Sequence, residues 1–518
     1  MDNINEVLIK YLVKNGAKTP ADLAFAKRKL SKKYKISCPT NMIILKTYHK
    51  MVKNKAIKKS ALIESLLRTR PIRSLSGIVN ISVLTKSYPC PGKCIYCPSE
   101  KGLPKSYVSG EPAVERAKAL KFDPYLQTKR RIEMLEIQGH PTDKIELRIV
   151  GGTWSYYPKK YQENFIKKCF DGCNVLPSPR LRRAKKNSKN LEEAQKINER
   201  AKHRIVGLSI ETRPDFINPA EIKWLRELGV TMVELGVQSI YDDVLKINNR
   251  GHKTTDTILA TKLLKNAGFK VLYQVMPNLL GSNPKRDLKM FKELFSDPDF
   301  QPDLLKIYPC ALLKNTQLYR FWKNKKYKPY TEKQLVNLLV LIKKDIPYYA
   351  RIQRIARDIP SRSIISGPAQ ISNIRQLLKN KKTPCKCIRC REVKEDYNPK
   401  EKIFLFRKNY NASGGKEIFL SFENRARTKL YSLLRLRITS GDNAVIRELH
   451  TFGQQLAVSD VGKSPQHKGL GKKLIAETEK IVRKSGIKKI AVISAVGVRG
   501  YYKKLGYKLK NTYMIKEL

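Results

Sequence analysis

Between about Leu75 and Pro360 the chain alternates short β-rich runs with amphipathic helical stretches, and this alternation constrains its fold more than any other feature. The clearest runs are ELRIVGG, RIVGLSIET, MVELGVQS, VLYQVMP and LLKIYPC. A helix placed between successive strands replaces the hairpin, so the strands lie parallel in one sheet, open or closed as a barrel. Barrel-like folds assemble their sites at the carboxyl ends of the strands. Glu211, Arg213 and Gln238 stand at such ends and are candidate cofactor-binding residues.

Directly after the strand-like VNISVLT comes SYPCPGKCIYCPSE, where Cys90, Cys94 and Cys97 have the spacing C-x3-C-x2-C. Three thiolates hold three irons of a [4Fe-4S] cluster and leave the fourth iron open. An open iron can chelate the amino and carboxylate groups of S-adenosylmethionine, and an added electron then cleaves the sulfonium to a 5′-deoxyadenosyl radical. A structural zinc is the competing reading, but it wants four ligands and no obvious fourth lies nearby. Gly151 and Gly152 follow the next strand, where their backbone and that of Thr153 could approach the methionyl amine without obstruction. An ordinary tight turn would use the same glycines.

A second Cys-dense run, KNKKTPCKCIRCREV, breaks the alternation. Cys385, Cys387 and Cys390 end no strand and follow a lysine run, which suits a structural zinc better than a second cluster. Cys310, ending LLKIYPC, is the candidate fourth ligand, with Cys169 and Cys173 as competitors. Free cysteines in a linker are the alternative.

From about Lys402 the pattern changes to antiparallel strands, EIFLSFE, LYSLLRLRI and VIRELHTFG, then one long helix, a strand, a helix and a final strand. Gln466, Gly469 and Gly471 spell Q-x-x-G-x-G at the start of the helix expected over Leu470 to Ser485. Backbone N–H groups and the helix dipole there bind a pyrophosphate without a basic side chain. Tyr501 and Tyr502 fall in the next helix, where a tyrosine can protonate a departing thiolate; core packing is the alternative. The strand before the loop, Glu448 to Thr451, would lie against an acyl-pantetheine arm.

The charge narrows the partner. The 105 Lys and Arg against 45 Asp and Glu give a formal +60, a field that holds and steers a polyanion, so a large nucleic acid is expected. The basic stretches Arg180 to Arg204 and Lys323 to Lys333 are either RNA contacts or solvated surface. No run approaches the roughly 20 apolar residues of a spanning helix, Met1 to Lys10 has no signal-peptide shape, and the clustered cysteines read as ligands. A soluble chain in the cytoplasm, with no membrane partner, is the expectation.

The runs CPGKCIYCP, IVGGTW, GLSIETRPDF, VELGVQS, RIQRIARDIP, IRELHTFG, QHKGLGKKLI and AVISAVGVRGYYKKLGY, in this order, resemble the catalytic subunit of the Elongator complex. That family comprises radical S-adenosylmethionine (radical SAM) tRNA uridine acetyltransferases, and the resemblance extends over essentially the full length. It implies an α/β multidomain chain: a basic helical tRNA-binding segment over 1–72, a radical SAM partial (β/α) barrel over 73–360, a small Cys-rich zinc linker over 361–398 and a GNAT-type acetyltransferase domain over 399–518. It implies that a deoxyadenosyl radical abstracts hydrogen from the methyl group of acetyl-CoA and that the carbon radical adds to C5 of the wobble uridine, giving 5-carboxymethyluridine in the anticodon. Carried over by motif, Cys90, Cys94 and Cys97 ligate the cluster. Lys144, Glu448, Leu449, His450, Thr451, Leu470, Gly471, Lys472 and Tyr502 then hold acetyl-CoA. Implied partners are the tRNA anticodon stem-loop, an electron donor, and either accessory Elongator-type subunits or further copies of the chain. The sequence departs from many members in its shorter cysteine spacing and in carrying Ser99 and Glu100 where a Gly-Gly pair is usual.

Three rivals stand beside this reading. Another radical SAM enzyme, a methylthiotransferase or coproporphyrinogen-oxidase relative, would not need the C-terminal glycine loop. A protein lysine acetyltransferase would repel its basic substrate at +60. A non-catalytic RNA scaffold leaves the cysteine motif unexplained.

Overall fold

The computed structural model describes residues 4–174, 188–371, 373–381, 383–439, 443–456 and 464–518. Of the basic stretch Arg180 to Arg204, the part up to Asn187 lies outside the described residues.

Four helices open the chain, Ile4–Lys14, Pro20–Lys33, Asn41–Lys53 and Ala61–Leu67, gathered around Leu8, Ile9, Ile44 and Tyr48. Thr19 caps the second by accepting from the Asp22 amide while the Asp22 carboxylate accepts from the Thr19 amide, a reciprocal box that fixes where the helix begins.

Next come β1 (Val79–Leu84), β2 (Lys144–Val150), β3 (Arg204–Thr212), β4 (Met232–Gln238), β5 (Lys270–Val275) and β6 (Leu304–Ile307). After the short β7 (Leu312–Leu313) the sheet is completed by β8 (Arg351–Ile355), and β9 (Ile364–Ser366) pairs with β7. The seven strands β1 to β6 and β8 are parallel and neighbour one another in that order, while β1 and β8 do not pair, so the barrel is open on one side. Side chains alternate across the strands. Ile145, Leu147 and Ile149 of β2, Val233, Leu235 and Val237 of β4, and Val271, Tyr273 and Val275 of β5 face outward into one core with the helices. The intervening Glu146, Arg148, Glu234, Lys270 and Gln274 therefore face the barrel interior. That polar lumen is the fold's main departure from a filled barrel.

The C-terminal sheet contains β10 (Ile403–Ala412), β11 (Gly415–Asn424), β12 (Leu430–Thr439), β13 (Asn443–Thr451), β14 (Lys489–Val492), β15 (Lys508–Lys510) and β16 (Tyr513–Glu517). Strands β10 to β13 are antiparallel, and β13 pairs with β14 in parallel, but only from Ala444 to Ile446. Beyond Ile446 the two strands part, leaving a cleft. The register slips opposite Arg435 and Leu436, so Arg447 is the extra residue of a bulge, which re-aims it toward the barrel.

Candidate active site

Sequence places the Cys90–Cys97 loop at the carboxyl end of the barrel, where it lines a cavity of about 510 Å³ with Gly152, Thr153, Glu211, Arg213, Gln238 and Lys306. Gly92 is pinned between the thiols and the strand-end arginine: a Cβ there would stand 2.7 Å from Arg213 Nη1 and 3.6 Å from the Sγ of both Cys90 and Cys94. Arg213 itself is held by two bonds to Asp215, at 2.9 and 2.7 Å. Burial, then the charge of Cys94, pushes the free Cys97 thiol up to about 12. The free Cys97 thiol therefore stays protonated, so a bound cation would have to draw its proton off.

Gly151 has φ +137°, and a Cβ on it would lie 1.9 Å from Thr85 Oγ1, so only glycine fits against β1. Gly152 opens toward the cavity instead. Gln238, also at positive φ, aims a buried Oε1 that has no hydrogen-bond partner. An orphaned buried acceptor is costly, and a donor such as a ligand amine would satisfy it. Glu211 accepts from Tyr107 (3.0 Å), Gln274 (3.1 Å) and Lys306 (3.1 Å). Burial works to raise its carboxyl, but Lys306, Tyr107 and Arg357 together outweigh burial and hold it below the usual range.

The second site sits at the other end of the barrel, in a cavity of about 550 Å³ where the cleft between β13 and β14 faces the amino ends of β2 and β3. It brings together Lys144, Glu448, Leu449, His450, Thr451, Gly469, Leu470, Gly471, Lys472, Tyr501 and Tyr502. Gly469 takes φ +79° to start the helix Leu470–Lys484, whose first amides point into the cavity. A Cβ on Gly471 would come 3.0 Å from the Tyr501 hydroxyl. Burial raises Tyr501 to about 12 and raises Tyr502 also, keeping both phenols protonated. Of the two, Tyr502 packs in the core with Tyr507, while Tyr501 stands at the helix start.

Gln466 turns out to be a tie between domains. Its Nε2 donates to the carbonyls of Gly77 (3.0 Å) and Thr451 (3.1 Å), and its Oε1 accepts from Lys144 Nζ at 2.9 Å. Burial lowers the Lys144 amine to about 8.

The Cys385, Cys387 and Cys390 ligand atoms lie within 4.8 Å of one another, and no other His, Cys, Asp or Glu among the described residues joins them. Cys310 is therefore not the fourth zinc ligand expected above: it is buried among Ile95, Tyr96 and Leu279, beside Tyr327. Cys169 and Cys173 are likewise buried in the core of the helix Lys159–Cys173.

Sequence reasoning missed Arg250 and Lys306. Arg250 Nη1 approaches Cys94 Sγ at 3.7 Å, and its other nitrogen donates to the Gly236 carbonyl. Lys306 pairs with Glu211 and Glu234. Ser99 and Glu100 leave the loop ordered, since Glu100 accepts from the Ser109 amide at 2.9 Å.

The protein is 46% identical over 480 residues, 88% of each chain, to the tRNA uridine(34) acetyltransferase of Methanocaldococcus infernus. It belongs to the tRNA uridine(34) acetyltransferase family. Human Elongator complex protein 3 is 37% identical, over 87% of this chain and 86% of that one. Residues 85–294 match the radical SAM superfamily and 302–383 the radical SAM C-terminal domain. The solved structure of the archaeal M. infernus Elp3, with residues 1–46 deleted, superposes with a TM-score of 0.73 at 42% identity, covering 86% of this chain and all of that one. Among the described residues no helix is long and apolar enough to cross a membrane.

Two carboxylates of this acetyltransferase give its acid limit. Burial tends to raise Glu146 and Glu448, but Arg148 and Lys270 win at the first, Lys270 and Arg435 at the second, and both are held at about 2 against an ordinary 4.5. Each folded value lies below the unfolded one, so the stabilisation is full above pH 4.5 and is lost as pH falls toward 2, about 3 kcal/mol for each group. Urea midpoints measured across this window are expected to fall with pH, and Glu448→Gln to make the slope shallower.

Proposed function

We propose that this chain converts the wobble uridine of tRNA to 5-carboxymethyluridine, using acetyl-CoA at one end of the barrel and S-adenosylmethionine at the other. The observation that carries this reading is that one barrel has a three-cysteine loop at its carboxyl end and a glycine-started helix opening on its amino end.

Bound at Cys90, Cys94 and Cys97, a [4Fe-4S] cluster with S-adenosylmethionine supplies a radical able to take hydrogen from an unactivated C–H bond. Gln238 Oε1 and the Gly152 carbonyl would accept from the methionyl amine, and Glu211, fixed by Lys306, lines the same cavity. Arg213, fixed by Asp215, lies over Gly92 of the cysteine loop. At the opposite end the amides of Leu470, Gly471 and Lys472 would bind the pyrophosphate, while Glu448 to Thr451 flank the acyl arm. Tyr501 or Tyr502 would hold the proton that the departing thiolate takes up. Cys385, Cys387 and Cys390 would give zinc three of its four ligands and leave the fourth to solvent or a partner. The basic amino-terminal helices, in which Lys27, Arg28, Lys32 and Lys33 lie on one helix, would grip the tRNA backbone.

The test is anaerobic incubation of the reconstituted protein with S-adenosylmethionine, labelled acetyl-CoA, dithionite and tRNA, followed by nucleoside mass spectrometry. Labelled carboxymethyluridine is expected, with Tyr501→Phe and Tyr502→Phe separating the two phenols. Deoxyadenosine without label in RNA would point to a different substrate.

A further inference from the structure

The two sites lie at opposite ends of one barrel, and a third cavity of about 380 Å³ fills the space between them. It shares Glu146, Lys270, Glu448 and His450 with the acetyl-CoA cavity and Arg148, Arg131, Arg73 and Arg354 with the cluster cavity. Strand β2 runs the length of this path: Lys144 lines the first cavity, Glu146 the first and second, Arg148 the second and third, and Val150 the third. Six residues at about 3.3 Å each make that path roughly 20 Å long.

The lining is also that of a conduit. Met232 and Leu304 form an apolar wall, and polar Asn80 and Gln353 line the same cavity. Gln353 Oε1 is buried without a hydrogen-bond partner, so the lumen holds a polar group that its own walls leave unsatisfied. A barrel interior needs none of this for stability, because interiors of this class are ordinarily packed with branched apolar side chains.

We infer that the barrel lumen is the passage by which the two-carbon unit travels from the acetyl-CoA end to the radical end as acetate, after water replaces the thiolate at the acyl carbon and the thiolate takes up one of the water's protons. This rests on the function proposed above. The apolar wall accommodates a methyl group, and the Arg and Gln side chains accommodate the carboxylate oxygens. The acetate thus reaches the uridine through the protein's interior.

The test is to plug the lumen without touching either end. Asn80→Trp and Gln353→Trp place a large ring in the middle cavity from two different strands, and neither residue lines the end cavities. Asn80 is solvent-exposed, so Asn80→Phe gives a gentler plug that leaves the fold intact, as its melting temperature will report. Deoxyadenosine formation and the acetyl-CoA dissociation constant are expected to stay within about twofold of wild type, and labelled nucleoside to fall at least tenfold. Labelled nucleoside at the wild-type rate in folded, plugged protein overturns the passage. Wild-type protein that makes no labelled nucleoside instead overturns the function proposed above, so the two failures are distinct.

Discussion

Replacing Cys94 with serine is expected to abolish radical formation while leaving acetyl-CoA binding unchanged. The thiol lies between Gly92, where a Cβ would stand 3.6 Å from it, and the Arg250 guanidinium 3.7 Å away, and neither a glycine nor a guanidinium can replace it as a ligand. Losing a partner outside the ligand shell of a metal site commonly costs about 10–100-fold in activity, and losing a ligand costs more. The reconstituted Cys94→Ser protein should therefore bind less iron and form deoxyadenosine more than about 100-fold more slowly. Arg250→Gln, which leaves all three thiols, should fall within the smaller range. Calorimetric titration of acetyl-CoA should be the same in both, because the cavity proposed for it lies at the other end of the barrel. A Cys94→Ser protein that retains wild-type iron and deoxyadenosine formation would remove Cys94 from the cluster.

The sequence made the outward half of the barrel visible and hid the inward half. Strands β2 to β5 stand out because their core-facing positions are branched or aromatic, as in Val233, Leu235 and Val237. Strand β8 does not, since RIQRI puts Arg351 and Gln353 toward the lumen and reads as charged surface. Strand β10 is hidden for the opposite reason: it is an edge strand whose Arg407, Lys408 and Asn409 face solvent, the usual protection of an open edge. Lys306 looks like one more surface lysine until sheet register turns it inward between Leu305 and Ile307.

The site shows the same division. Glu211 and Gln238 are legible because position at a strand end alone marks them, and Gly469 because a helix start needs a left-handed residue there. Cys310 misleads because spacing along a chain carries no information about distance across a fold. Its place among aromatic side chains is set by the turn after β6, which sequence does not reveal.

Asp303→Ala is expected to be the most destabilising single substitution outside the hydrophobic core, because Asp303 joins the two domains by charge. It lies just before β6 with no exposed surface, and it accepts from Arg447 Nη1 at 2.8 Å, Arg447 Nη2 at 2.6 Å and the Val271 amide at 2.9 Å. The bulge in β13 aims Arg447 across the interface, and Arg435 reaches the same carboxylate at 3.5 Å while bonding Glu448 at 2.7 Å. Burial would raise the Asp303 carboxyl, yet the two arginines hold it far below its usual range, so the network stays ionised throughout the neutral range. Removing the carboxylate takes one partner from each of two buried guanidinium groups, leaving Arg447 with Glu417 at 2.9 Å and Arg435 with Glu448 at 2.7 Å, so the loss is expected to stay below the roughly 3–5 kcal/mol of a buried charge left wholly unpaired. Asp303→Asn keeps the shape and an acceptor for the Val271 amide, so it should recover part of the loss. The same arginine network holds Glu448 at the cavity proposed for acetyl-CoA, so acetyl-CoA affinity should weaken in Asp303→Ala before the protein unfolds. Unfolding midpoints and acetyl-CoA titration at neutral pH measure both effects. An Asp303→Ala protein as stable as wild type would mean that apolar packing, and not this charge network, sets the angle between barrel and C-terminal sheet.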